Sequence, residues 1–155
     1  MIVEISSTNF RSFRTTQTLS MVKGKGDELP ENTFQVENIK DLDLLHSVAI
    51  YGANASGKSN LLRAVRSMKR IVTESSQRGI SLPLVPFKFN KDNLHKPTEF
   101  EIVFIVNKVR YQYGFSATEE QIFDEWLFAY PRGRAQKWFE RVWDAKDKKH
   151  LWHFG

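Results

Sequence analysis

The sequence predicts a mixed α/β fold, part α/β and part α+β, from three observations. The octapeptide Gly52-Ala53-Asn54-Ala55-Ser56-Gly57-Lys58-Ser59 has the glycine and Lys-Ser spacing of a phosphate-binding loop. A short β-rich apolar run, Ser47-Val48-Ala49-Ile50-Tyr51, precedes it, and a segment of helical periodicity follows. Beyond residue 98 the periodicity switches to strict alternation, the pattern of half-buried antiparallel strands.

Taken in order, residues 1–22 read as two strands joined by a corner at Phe10-Arg11-Ser12-Phe13. Residues 24–33 hold two glycines and Pro30 and read as a polar loop. Residues 34–76 are expected to carry the loop strand and its helix. The run 47–51 suits a buried parallel strand, because such strands are apolar on both faces. In the helix, Leu61, Leu62, Val65, Met68 and Val72 fall at helical spacing, with Arg63, Arg66, Lys69 and Arg70 on the other sides. Pro83, Pro86 and Pro97 punctuate the connection that follows.

Residues 98–155 predict a meander. Phe100, Ile102, Phe104 and Val106 alternate with their neighbours, Asn107-Lys108 suits a hairpin turn, and Val109, Tyr111, Tyr113 and Phe115 form a second alternating strand. A third strand spans residues 122–130 and is broken by Pro131-Arg132-Gly133. A fourth covers residues 136–143, and a fifth starts near His150 after a polar turn.

The loop fixes a ligand class. Its glycines let the backbone wrap phosphates, and N–H groups at the helix N-terminus point at the anion with the helix dipole behind them. Lys58 supplies a cation for the outer phosphates, and Ser59 a hydroxyl for Mg²⁺.

The run Tyr51-Gly52-Ala53-Asn54-Ala55-Ser56-Gly57-Lys58-Ser59-Asn60 resembles the loop of RecF, SMC and OLD-type ATPases, the ABC-head branch of P-loop proteins. That branch typically reads Gly-x-Asn-Gly-x-Gly-Lys-Ser-Asn. Asn54, Gly57, Lys58, Ser59 and Asn60 match, and Ala55 stands where a third glycine is usual. The segment Asn9-Phe10-Arg11-Ser12-Phe13 is similar to the one that ends the first strand in this branch. The closest look is to bacterial AAA-type ATP-binding proteins linked to abortive infection. The resemblance implies ATP and Mg²⁺ as ligands, Arg11 and Ser12 near the nucleotide, and Asn54 near the γ-phosphate. It also implies an ABC-head N-terminal lobe with an antiparallel β-subdomain, and a homodimer closed through ATP-bridged heads. The whole of residues 1–155 is then expected to be a single lobe, incomplete at its C-terminal end.

Hydrolysis needs an acidic residue at the end of a second buried strand, to hold Mg²⁺ and orient water. The one candidate is Asp124-Glu125. Two apolar residues precede it, and Trp126-Leu127-Phe128 continues the strand, so the segment reads first as a hairpin strand. A small self-sufficient ATPase using Asp124 and Glu125 is the alternative. No Leu-Ser-Gly-Gly-type signature and no guanine-reading Asn-Lys-x-Asp is present.

The rest of the chain narrows the classes. There is no cysteine, so disulfides and Cys-based zinc sites are excluded, and the four histidines form no ligand pattern. No apolar run has transmembrane length, so a membrane partner is not expected and a cytoplasmic location is. The net charge of +5 is uneven. Arg132, Arg134, Lys137, Arg141, Lys146, Lys148 and Lys149 face only Glu140, Asp144 and Asp147, with Trp138, Phe139, Trp143 and Trp152 interleaved. That mixture fits either a DNA- or RNA-binding face or an ordinary sheet with solvated lysines outside and aromatics in the core.

Overall fold

The computed structural model describes residues 1–26, 28–74 and 81–155. Its frame is a seven-stranded, wholly antiparallel sheet built from β1 (Ile2–Thr8), β2 (Gln17–Ser20), β5 (Thr98–Val106), β6 (Val109–Ala117), β7 (Ile122–Tyr130), β8 (Gln136–Asp144) and β9 (Lys149–Phe154), in the order β2-β1-β5-β6-β7-β8-β9. The meander strands fall where alternation places them. Asn107 and Lys108 both take positive φ, 48° and 65°, as a two-residue hairpin with the twist of its strands requires.

One face of the sheet packs against α1 (Lys58–Glu74). Phe10, Ala64, Met68, Ile71, Leu82, Leu84, Phe100, Phe115 and Ala117 form the core there, with Phe13, Ile102, Tyr113 and Ile122 at its margin. The buried helix stripe is Ala64, Met68 and Ile71. Leu62, expected inside, is exposed, because the stripe is centred on Ala64 and Leu62 lies on the far side of the helix. Residues 75 and 76, the expected end of this region, lie outside the described residues. The opposite sheet face carries a smaller core of Val3, Val36, Leu44 and Ile105, covered by the hairpin β3 (Thr33–Gln35) and β4 (Asp43–Leu45). The expected polar loop before β3 includes a 3-10 turn at Pro30–Asn32, and a short helix α2 (Lys91–Leu94) interrupts the proline-rich connection. Asn90 caps α2 by accepting from the Asp92 N–H at 2.8 Å.

Residues 47–51 are not a strand. Asn32 anchors Ser47 with three hydrogen bonds, but residues 48–51 have no regular structure and are exposed, with Tyr51 90% accessible. A strand is stabilised by a paired neighbour, and a buried parallel strand needs a second strand running the same way. Every strand pair among the described residues is antiparallel and belongs to one of the two sheets above. Among the described residues the apolar run therefore has no parallel strand to pair with.

Among the described residues no helix is long and apolar enough to cross a membrane.

Candidate nucleotide site

The loop turns through two left-handed residues, Ala55 at φ 63° and Gly57 at φ 101°. Gly57 is required twice over. Its φ suits glycine, and a Cβ there would lie 3.1 Å from Phe13 Cε1 and 3.3 Å from Ser12 Oγ. Ala55 has no such excuse: a left-handed alanine costs about 1–2 kcal/mol relative to its right-handed state. The glycine usual at that position would remove the cost.

Helix α1 begins at Lys58. The Asn60 and Leu61 N–H groups close onto the Gly57 carbonyl at 2.8 and 3.2 Å. The preceding first-turn N–H groups have no intrahelical acceptor, as at any helix start, and form the positive end of the helix dipole. Lys58 folds back over the loop, donating from Nζ to the carbonyls of Gly52 at 2.6 Å and Ala53 at 2.7 Å. Ser56 Oγ lies 3.5 Å from the same ammonium, and the Ser56 N–H bonds the Ala53 carbonyl at 3.2 Å. Among the described residues the hydroxyl of Ser59 and the side-chain amide of Asn54 have no partner. Arg63, Arg66 and Lys69 extend the positive charge along the helix, whereas Arg70 is paired with Glu74 at 2.7 Å.

The N-terminal corner meets this loop. Phe10 and Phe13 exchange backbone hydrogen bonds at 3.0 and 2.8 Å, closing a tight turn with Arg11 at φ 53°. Ser12, at its tip, accepts from Asn60 Nδ2 at 2.8 Å, and Arg63 donates to Asn60 Oδ1 at 2.9 Å. Arg11 turns away onto the Phe10 ring, 5.6 Å from its centroid, and its Nε is buried without a partner. So of the two corner residues expected near the nucleotide, Ser12 touches the loop region and Arg11 packs on Phe10.

Asn9 holds this corner in place. Its Nδ2 donates to the carbonyls of Asn93 at 2.9 Å and Lys96 at 2.8 Å. Its Oδ1 accepts from the Phe87 N–H and from Asn93 Nδ2, each at 3.1 Å. Asn9 itself is left-handed, φ 54°, a conformation asparagine tolerates better than most residues. Its structural role had one signal in the sequence, an asparagine directly before the corner. Arg63 had none, because a helical arginine on a solvent face has many ordinary explanations.

Asp124 and Glu125 lie elsewhere in the architecture. Both sit near the start of β7, third and fourth of its nine residues, rather than at a carboxyl end. Asp124 accepts from Ser116 Oγ at 2.7 Å on one sheet face. Glu125, on the other, accepts from Tyr113 Oη at 2.6 Å and pairs with Arg141 at 2.6 Å. Burial and then the Glu125 carboxylate push the Tyr113 phenol far above its ordinary value. Burial first, then Glu101 and Asp124, raise the neighbouring Glu99 carboxyl. These are cross-strand partners, the usual currency of a sheet. Among the described residues no cluster of three or more His, Cys, Asp or Glu is placed to hold a metal ion.

Residues 47–154 match the model of a family described as "AAA domain, putative AbiEii toxin, Type IV TA system". The matched span runs from the apolar segment before the loop, through α1, to the end of β9, and leaves out the Asn9–Phe13 corner. A comparison with curated proteins finds no match to the chain. The P-loop with its helix and the matched family model agree, and the chain belongs to this AAA domain family.

Proposed function

We propose that the chain binds Mg·ATP through residues 52–59, as the nucleotide-holding part of an ATPase. The observation that carries this reading is the geometry at the start of α1. Ala55 and Gly57 wind the loop left-handed, the first helical turn leaves N–H groups open, and Lys58 caps the loop's own carbonyls. A cation held by two neutral carbonyls has a far better partner in a phosphate. Lys58 is therefore poised to exchange Gly52 and Ala53 for outer phosphate oxygens. The partnerless Ser59 hydroxyl fits a magnesium ligand, and the Asn54 amide fits a contact to the terminal phosphate. Bound Mg²⁺ would supply charge neutralisation between the outer phosphates.

Hydrolysis on this reading needs an acid and a signature from outside the residues described above, as in RecF-, SMC- and OLD-like heads that close as dimers over ATP. The family description, which names a putative toxin of a toxin–antitoxin system, supports a defence setting. Glu125 does not favour a self-contained ATPase, since its carboxylate is already engaged by Tyr113 and Arg141.

Titration with a fluorescent ATP analogue, with and without Mg²⁺, tests the reading. Saturable binding that tightens with Mg²⁺ is expected, and Ser59→Ala should remove most of the Mg²⁺ dependence while sparing metal-free binding. Absence of saturation up to millimolar nucleotide would sink it.

A further inference from the structure

The basic and aromatic stretch at the end of the sheet half-buries Phe139 and Trp143 but leaves other rings at the surface. Trp138, Trp152 and Phe154 are 52%, 50% and 72% exposed. Trp152 and Phe154 are near neighbours on β9, so their exposed rings form an apolar patch rather than scattered single residues. Strand register shows how they lie. Trp152 stands opposite Arg141, and Phe154 opposite Phe139. Arg141 in turn stands opposite Glu125, and Phe139 opposite Leu127. Trp152, Phe154 and Phe139 thus share one face of the two outermost strands. The Trp152 and Phe154 rings are within 5° of parallel, with centroids 5.9 Å apart.

Cations bracket this face. Lys146 and Lys148 lie in the β8–β9 turn, at the end where β9 begins. Arg132 and Arg134 lie in the β7–β8 turn, at the other end, where Phe154 approaches the start of β8. All four are exposed, and among the described residues none is in an ion pair. Arg141 differs: Glu125 neutralises it, and its guanidinium packs on Trp152, 5.4 Å from the ring centroid, fixing that ring.

We infer that the exposed part of the α1-side sheet face at β8 and β9 binds single-stranded nucleic acid. The stacked pair of Trp152 and Phe154 offers its exposed ring surface, largest on Phe154, to unpaired bases, and the cations at either end of β9 meet the backbone phosphates. Stacking on exposed aromatics beside a positive track is how sequence-tolerant single-strand binding works. A duplex, whose bases are already stacked, would use only the charges. A second copy of the chain would bring the same four cations against themselves, so charge complementarity favours a polyanion. The inference is independent of nucleotide binding at the loop.

Fluorescence anisotropy with a fluorescein-labelled 15-mer oligo-dT, at several salt concentrations and without ATP, tests it. Saturable binding is expected, with an unlabelled duplex of equal length competing at least tenfold less well. The double variant Trp152→Ala/Phe154→Ala should bind at least tenfold more weakly, whereas Trp152→Phe, which keeps a ring, should lose much less. Lys146→Ala/Lys148→Ala should lower the slope of log K against log salt by about 1.4, at about 0.7 per phosphate contact in a single strand. Both changed rings are at the surface, so circular dichroism should show the double variant folded and its binding of an ATP analogue intact. Absence of oligo-dT binding at 50 mM salt overturns the inference. So does binding indifferent to both rings, equal competition by the duplex, or a ring-dependent self-association in sedimentation without oligonucleotide binding.

Discussion

Asn60 donates a 2.8 Å hydrogen bond to Ser12, which ties the turn after the first strand to the first turn of the nucleotide-loop helix across 48 residues of sequence. Arg63 holds the other end of the same amide. The helix start is therefore tied to the corner through Asn60 and Ser12, close to where Phe13 and Ser12 leave no room for a side chain at Gly57. Replacing Asn60 by alanine removes both bonds at an exposed site, a loss of about 1 kcal/mol in stability. For a domain of this size that is a fall of about 2–4 °C in Tm. Nucleotide affinity should fall as well, because the helix start is no longer registered on the corner. Calorimetry with a nucleotide titration checks both, and an affinity loss without a Tm shift would show that Asn60 acts on the ligand directly.

Ala55→Gly should stabilise the protein. The left-handed backbone at Ala55 costs about 1–2 kcal/mol, and the greater freedom of glycine in the unfolded chain returns about 0.4–1 kcal/mol of that. A net gain of about 0.5–1 kcal/mol in urea unfolding is expected, with nucleotide binding retained. A loss of stability would mean that the alanine methyl makes a contact worth more than the strain.

Gly114 lies under Trp126, and its lack of a side chain is what lets the indole cross β6. A Cβ there would overlap Trp126 Cζ2 and lie 2.8 Å from the Phe100 carbonyl oxygen. Trp126 would have to leave the position from which its Nε1 donates to Glu101 at 3.0 Å. Gly114→Ala should cost about 2–3 kcal/mol, as overpacking of a fixed core does, with a red shift of tryptophan emission as Trp126 moves toward water.

The Tyr113–Glu125–Arg141 ladder has a pH signature. The folded phenol ionises well above its ordinary value of about 10, so the unfolded chain gives up this proton first. The stabilisation is complete below about pH 10 and is lost as pH rises beyond it. Absorbance near 295 nm should show one tyrosine ionising only together with alkaline unfolding, and Tyr113→Phe should abolish that late step. Glu125→Gln, which leaves the half-buried Arg141 without its counter-charge, should cost up to about 3 kcal/mol. It should leave affinity for an ATP analogue unchanged.

The sequence made the meander legible because its first two strands, β5 and β6, alternate cleanly, and because Asn107-Lys108, Pro131-Arg132-Gly133 and the polar run before β9 mark turns. At the glycine-containing loop the sequence was legible where backbone geometry dictates the residue type: Gly57 is required by its φ and by the closeness of Phe13 and Ser12. Residues 47–51 misled for a physical reason. An apolar β-rich run records a tendency to pair, and pairing depends on a neighbour that local sequence does not specify. Leu62 misled because apolar character alone does not place a residue on the buried stripe: it lies across the helix from Ala64, Met68 and Ile71. The Asn9 hub and the Asn60–Ser12 bond could not be read, since each joins residues whose proximity is created only when the proline-rich connection and the corner fold together. The uncovered aromatics of β8 and β9 were visible as composition, but their exposure depends on which strands end the sheet.

The most direct test of the central claim is the affinity of the Lys58→Ala variant for a fluorescent Mg·ATP analogue. Lys58 faces loop carbonyls at the surface rather than the core, so its removal should leave the fold intact by circular dichroism. The account predicts a loss of affinity of at least tenfold. A folded Lys58→Ala protein that binds the analogue as tightly as the unmodified chain would contradict it.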